Sequence, residues 1–399
     1  MTTAGEARTY PFSEARGLEL DPTYRALRDE QPVARVRLPY GGEGWLATRY
    51  ADVKTVMSDP RFSRAATVGK DIPRTTPARQ QGTTILSMDP PEHSRLRKLV
   101  AKAFTARQIE RLRARAQQVV DELLDRMAEQ GPPADLVEGL ALPLPITMIC
   151  EMLGVPFDDR DRFRAWSDQL LGVTAFTAEE IEQARAEFRA YLAGLIEQRR
   201  RTPSDDMLGV LVQARDEDDK LTEDELVDFG ITLLVAGHET TANQIGNFVY
   251  TLMANPEQLA KLRDNLDLVP SAVEELLRFI PLGNSAAFAR VAVEDVELGG
   301  VLVKAGEAVL VSTASANRDA QVFDNPDQID LERQDNAHVA FGHGVHHCLG
   351  AQLARLELQI ALKSLLTRFP TLRPAVPIEE MVFKQGRLVR GLSALPVAW

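Results

Sequence analysis

Helical periodicity runs unbroken from about Thr222 to Ala254, and no other part of the chain restricts the fold as much. Thr222 with Glu225 three residues on forms a capping box, and Asn255-Pro256 supplies the stop. At about 1.5 Å per residue the helix is roughly 50 Å long, enough to cross the molecule, so it has to be central. Its middle is written against propensity. In Ala236-Gly237-His238-Glu239-Thr240-Thr241 the glycine costs about 1 kcal/mol relative to alanine, and two adjacent threonines add β-branched crowding. Another requirement holds these residues there, either a close contact between helices or a groove for a ligand.

A second stretch carries the chemistry: Phe341-Gly342-His343-Gly344-Val345-His346-His347-Cys348-Leu349-Gly350, followed at once by the helical run Ala351–Leu366. Three glycines let the backbone pass close to a large flat ligand. Cys348 stands before a helix N-terminus, where unpaired N–H groups and the dipole favour a thiolate, a ready metal ligand. Two other readings apply to the same residues. One is a buried structural cysteine. The other is a zinc site of His343, His346, His347 and Cys348, which lacks the usual second ligand pair because Cys150 sits in the apolar run Leu142–Leu153.

With 399 residues and 44% hydrophobic content the chain can bury a large core, and its length suggests two or three domains. No Pro/Gly/Ser linker divides it, so one domain over residues 1–399 is expected. A net charge of −12 argues against nucleic acid or an anionic membrane as partner. Met1–Tyr10 is polar, so neither a signal peptide nor a membrane anchor is expected, and two distant cysteines suit a reducing cytoplasm.

Along the chain, a short helix near Pro22–Glu30 precedes a hairpin of Val33–Arg37 and Trp45–Thr48 around Tyr40-Gly41-Gly42. Ser63–Ser87 has no periodicity and reads as a lid on the substrate side. From Pro91 to Leu262 the pattern is almost wholly helical, and another helix opens at Pro270. Strand-like segments follow at Ala286–Val293 and Ala308–Ser312, then an irregular Asn317–Arg333 and a last hairpin over Met381–Leu392 around Gln385-Gly386.

The pattern Phe-x-x-Gly-x-His-x-Cys-x-Gly at Phe341–Gly350 resembles the haem-binding loop of the cytochrome P-450 family, and the hexad at Ala236–Thr241 resembles that family's oxygen-binding groove. Glu275-Leu276-Leu277-Arg278 matches its Glu-x-x-Arg, in the family's order, and is given the structural role of holding the segment before the cysteine loop. The resemblance covers nearly the whole chain. It implies a mainly α (α+β) fold, an α-rich bulk with a small β region, and haem b between the long helix and the Cys348 loop. Cys348 would hold the iron, while Phe341, Gly342 and Gly350 would shape the loop around the macrocycle. His93, Arg97, Arg290 and His346 would meet the haem propionates. Ala236 and Gly237 would leave room for dioxygen, and Glu239 with Thr240 would form the acid–alcohol pair that relays protons. His238 is given no role.

The implied reaction puts one oxygen atom from O2 into an apolar substrate, by hydroxylation or epoxidation. No flavin, nicotinamide or iron–sulfur motif is visible, so a ferredoxin and a ferredoxin reductase fed by NAD(P)H are the implied partners. Arg95, Lys98, Lys102 and Arg107 offer them a basic docking face, or form an ordinary solvated one. Leu86, Thr232, Val235, Ala236, Ala286, Ala287 and Leu392 would line the substrate pocket. Small and aliphatic walls select by shape and buried area. The pattern is most similar to bacterial members that tailor macrolides and related polyketides in antibiotic biosynthesis. Alternatives are a steroid or terpenoid hydroxylase, a peroxide-driven or coupling haem-thiolate enzyme, and a haem-thiolate binder without turnover.

Overall fold

Thr222 caps the long helix reciprocally: its hydroxyl accepts the Glu225 N–H at 3.1 Å, and the Glu225 carboxylate accepts the Thr222 N–H at 2.8 Å. The computed structural model describes residues 6–13, 17–77, 79, 84–101, 103–216, 221–283 and 288–399. Eight of its helices matter here: α1 (Glu92–Ala101), α2 (Arg113–Gln130), α3 (Pro143–Leu153), α4 (Arg160–Leu170), α5 (Ala178–Arg201), α6 (Glu223–Ala254), α7 (Val269–Phe279) and α8 (Ala351–Arg368). The long helix α6 packs most extensively on α3, and also on α5 and α8. Its glycines are points of close approach. A Cβ at Gly237 would lie 2.6 Å from Ile149 of α3, and one at Gly230 would lie 2.9 Å from Leu192 of α5. On the side where a Cβ would stand, Gly237 is therefore met by a neighbouring helix, which is a packing reason for the residue.

Nearly everything on α6 between Leu226 and Met253 is buried, yet Asp228, Thr232, Val235, Ala236, Gly237, Thr240 and Tyr250 keep accessible surface, and Ala236 is the most open. Apart from Gly237 and Tyr250 they recur at three- and four-residue spacing, so they form one stripe on a helix that is otherwise buried on all sides.

The β region is a mixed sheet in the order β1-β2-β3-β6-β5-β4, formed by Arg8–Thr9, Val33–Arg37, Glu43–Ala47, Phe62–Ser63, Arg290–Ala292 and Ala308–Val311 as β1 to β6. The first hairpin, β2 with β3, is antiparallel from Val33 opposite Ala47 to Arg37 opposite Glu43. Ser63 of β4 stands opposite Val291 of β5, a register that brings Arg64 beside Arg290. Strand β5 is shorter than the segment Ala286–Val293 would suggest, and residues 284–287 lie outside the described ones. In the predicted lid, Ile85–Ser87 and Ala65–Thr67 form 3-10 turns, and residues 78 and 80–83 lie outside the described ones.

Several strand pairings have no counterpart in the sequence reading, among them a hairpin of Val296–Leu298 with Val301–Val303. Ala134–Asp135 and Arg373–Pro374 both pair with Pro396–Ala398. Segments of two or three residues carry too little periodicity to be seen. The last hairpin has short arms: Phe383 faces Leu392, and the Lys384 N–H bonds Gly391 O at 2.8 Å. The loop between them binds outward, Gly386 O accepting the Val173 N–H at 2.7 Å.

On α7 the Glu275–Arg278 pair is fully buried, at 0% and 1% residue exposure. Arg278 gives its Nε and Nη2 to the Glu275 carboxylate and its remaining hydrogens to the carbonyls of Asn317, Pro326 and Gln328. Glu275 in turn accepts the Asp330 N–H, Arg333 Nε and Asn336 Nδ2. The pair thus pins the irregular segment that leads into the cysteine loop, as expected of it.

Candidate active site

Gly342 and Gly344 adopt φ of 76° and 71°, so both need glycine, whereas Gly350 has an ordinary φ of −84°. At Gly344 a Cβ would lie 2.6 Å from Met57 O, which ties the loop to the helix Tyr50–Ser58. Cys348 donates its N–H to Phe341 O at 2.8 Å, closing the loop back on itself. Phe341 in turn lies under the Arg355 guanidinium of α8, 4.6 Å from its ring centroid.

The Cys348 side chain keeps accessible surface although protein encloses it closely, the pattern of a residue lining an enclosed site. Burial pushes its thiol up, against the opposing pull of the Gly350 N–H, Arg97 and Arg355. The helix N-terminus acts in the expected direction, but desolvation outweighs it in the free thiol. Cys150 differs: it is 1% exposed, and burial drives its thiol to about 12.

Around this loop lies a group of cations with too few anions. His93 is buried on α1, its ring 4.3 Å from that of His346. Arg97, one turn on, donates to His347 O at 2.6 Å. Arg290 is 4% exposed, and burial pulls its guanidinium down to about 10 against the pull of Asp89. Arg64, which the sequence reading missed, is 6% exposed, lowered to about 9 by burial and then by Arg290. His346 falls to about 3 through burial and the nearby Arg64, His93 and Arg290, so its ring is neutral, with Nε2 buried and lacking a partner. Asp89 is the carboxylate in reach, but it already accepts the Ser63 hydroxyl at 2.5 Å and the Arg64 N–H at 2.9 Å. Buried charge without a counter-charge is costly. The cluster therefore suits a ligand with carboxylates of its own, the condition that haem propionates meet beside a cysteine. A zinc site does not fit: His346 turns to His93 and His347 to Phe341, and among the described residues no three His, Cys, Asp or Glu side chains converge on a metal position.

On α6, Thr240 is half-buried and its hydroxyl donates to Ala236 O at 3.0 Å. Glu239 points the other way and is 5% exposed. It accepts Asn243 Nδ2 at 2.8 Å and faces Lys384 Nζ at 3.6 Å. Burial would raise its carboxyl, but Lys384, His238, Asn243 and Arg387 together hold it below the usual range. His238 could help only with a charged ring, yet burial lowers that imidazole too, so at neutral pH Lys384 is the cation that faces the carboxylate. His238 is 2% exposed, with Nδ1–H bonded to Leu234 O at 2.7 Å and Nε2 buried.

Of the predicted pocket residues, Thr232, Val235 and Ala236 share the open stripe of α6, and Leu86 is 41% exposed on its 3-10 turn. Leu392 is corrected: it is 2% exposed and packs near Val137, Leu142 and Gly246, in the core behind α6. Its place opposite Phe383 turns it inward. Ala286 and Ala287 lie outside the described residues. Of the basic face, Arg95 pairs with Glu225 at 2.5 Å, Lys98 and Arg107 are exposed, and Lys102 lies outside the described residues.

A helix-dominated fold built on one crossing helix, with a glycine-rich cysteine loop beside a carboxylate-seeking cluster, defines a haem-thiolate protein. Comparison with known proteins agrees. The sequence profile of the cytochrome P-450 family matches residues 43–391. Nocardicin C N-oxygenase of Nocardia uniformis subsp. tsuyamanensis is 58% identical over 100% of both chains. Mycinamicin IV hydroxylase/epoxidase of Micromonospora griseorubida is 53% identical, again over 100% of both. The crystal structure of the LnmA cytochrome P-450 hydroxylase of the leinamycin pathway of Streptomyces atroolivaceus superposes with a TM-score of 0.92 at 55% identity, covering 98% of this chain and 100% of that one. The chain belongs to the cytochrome P-450 family and is a haem-dependent monooxygenase. Among the described residues no helix is long and apolar enough to cross a membrane.

Proposed function

We propose that this monooxygenase acts on a bulky, largely apolar secondary metabolite of the macrolide or polyketide type, with Cys348 as thiolate ligand to the haem iron and Arg64, His93, Arg97, Arg290 and His346 around the propionates. The observation that carries the placement is the excess of buried cation beside Cys348, with Asp89 already committed to the Ser63–Ala65 turn. The open stripe of Thr232, Val235, Ala236 and Thr240 is the substrate and oxygen side. Its small and aliphatic side chains offer contact area and few hydrogen bonds, which favours large hydrocarbon surfaces at about 0.8 kcal/mol per buried CH2. The two relatives named above act on nocardicin C and on mycinamicin IV, which supports a tailoring role here.

When bound, the haem supplies the activation of O2, with two electrons and two protons consumed for each oxygen atom inserted and each water released. The protein supplies the rest. Cys348, enclosed and close to Arg97, would hold the haem iron through its sulfur. Thr240 on the open stripe and Glu239 behind it would hold and pass protons, while the apolar stripe would orient the substrate and keep bulk water away. Electrons come from a ferredoxin and its reductase, docked on the Cys348 side near Lys98 and Arg107. A single domain over residues 1–399 in the reducing cytoplasm suits two cysteines that are both free thiols.

The test is reconstitution with a ferredoxin, its reductase and NADH, preceded by spectral titration of macrolactone-sized and camphor-sized ligands. The large ligand should bind tighter and gain one oxygen atom. Tighter binding of the small ligand contradicts the large-pocket reading.

A further inference from the structure

Glu239 looks away from the open stripe and into the final hairpin, which packs across α6 at this level. Lys384 Nζ stands 3.6 Å from Glu239 Oε1 and donates to Asn243 Oδ1 at 3.3 Å. Asn243 in turn donates Nδ2 to Glu239 Oε1 at 2.8 Å and to the Glu239 carbonyl at 2.7 Å. Lysine, amide and carboxylate therefore close a triangle between two elements that are far apart in sequence.

The hairpin backbone is shaped to this triangle. The Lys384 N–H bonds Gly391 O at 2.8 Å, so the two residues lie across from each other. A Cβ at Gly391 would fall 1.8 Å from Asn243 Oδ1, and only glycine admits the amide there. One turn along α6, Asn247 Nδ2 bonds Arg390 O at 3.0 Å and fastens the same arm. Beside the triangle is a cavity of about 10 Å³, walled by Asn243 and Lys384 on its polar side and by Val137, Leu142 and Leu392 on its apolar side. That is room for about one water molecule, with polar groups to hold it. The Lys384 side chain is 17% accessible and that of Glu239 only 7%, so the lysine spans the distance from solvent to the buried carboxylate.

We propose that Lys384 is a positioning residue for proton delivery: with Asn243 it fixes the Glu239 carboxylate, and the hairpin side is the side from which protons reach that carboxylate. The proposal rests on reading Glu239 and Thr240 as the acid–alcohol pair. Glu239 takes a proton from water at the hairpin and passes it on through Thr240; only H+ moves.

Other charges face Glu239 without replacing the lysine. His238 on its own helix lies 3.8 Å away through Nε2 but is neutral for the reason given above. On α4, Arg164 is engaged by Glu138 at 2.8 Å, and Asp168 faces Arg387 of the hairpin at 3.5 Å. Lys384 therefore holds the carboxylate ionised against burial. The sign follows. A carboxyl held low in the fold adds stability above its unfolded value, near 4.5, and loses it as pH falls through the lower folded value. Without the lysine, that stability becomes a penalty at neutral pH, relieved when acid protonates Glu239.

The test compares Lys384→Met, Lys384→Arg, Glu239→Gln and Thr240→Ala in the holoenzyme by product formed per NADH consumed and by Tm against pH. Lys384→Met should lose coupling several-fold with substrate affinity unchanged, and Lys384→Arg should recover much of it. The Tm deficit of Lys384→Met should be widest at neutral pH, close in acid, and disappear when Glu239→Gln is added. Parent-like coupling in Lys384→Met while Glu239→Gln and Thr240→Ala uncouple overturns the proposal and leaves the acid–alcohol reading standing. Matched NADH and product in Glu239→Gln and Thr240→Ala overturns that reading itself. A Tm loss equal at every pH, or not rescued by Glu239→Gln, assigns Lys384 to packing and overturns the proposal too.

Discussion

Around Arg278 the guanidinium hydrogens meet carboxylate or carbonyl oxygens, and the Glu275 oxygens are filled from four directions. Around His346 the opposite holds: Arg64 Nε and His346 Nε2 are buried without partners, and the nearest carboxylate is spent on the Ser63–Ala65 turn. Both clusters are buried and cationic, and both border the cysteine loop. The first is closed, so its energy goes into holding Asn317–Arg333 in place. The second is open, so its energy goes to whatever brings the missing anions. A buried ion network can thus be sorted into scaffold or binding site by asking whether its donors are already used.

Breaking the closed cluster should have the largest effect. Arg278→Leu leaves Glu275 buried without its main cation, a loss of about 3–5 kcal/mol, so urea unfolding should show a much lower midpoint or the chain should fail to fold. Retention of parent stability would mean the pair is not the anchor of the loop segment.

Breaking the open cluster should do less to the chain and more to its ligand. Arg64→Leu removes a cation that burial and Arg290 already disfavour, and Arg290→Leu removes one that burial already disfavours. The haem-free protein should keep its unfolding midpoint, while haem transfer to a scavenging globin speeds up. A lower midpoint without faster haem loss would move either arginine into the scaffold class.

The difference also explains what was legible from sequence. The long helix, the cysteine loop and the Glu-x-x-Arg pair are contiguous, and each carries its own periodicity, cap or glycine pattern. His93 and Arg97 share a helical face, so spacing alone joins them. Arg64 joins only through the register of Ser63 against Val291, and Lys384 only because the last hairpin folds across α6. Such non-local pairings leave no mark in a window of neighbouring residues. Leu392 was misplaced for the same reason, since its facing depends on which residue stands opposite. Gly237 also admits Ile149, a contact that the sequence does not announce because a small residue does not say which neighbour needs the space. The thiolate expected from the helix N-terminus met a larger opposing effect, burial, that only the packed structure reveals.

The central claim is that Cys348, and not Cys150, holds the haem iron. The direct measurement is the carbon monoxide difference spectrum of the reduced protein in Cys348→Ala, Cys348→His and Cys150→Ser. The account predicts that both Cys348 variants lose the thiolate-type band while Cys150→Ser keeps it in full. An unchanged band in a Cys348 variant, or its loss in Cys150→Ser, would contradict the account.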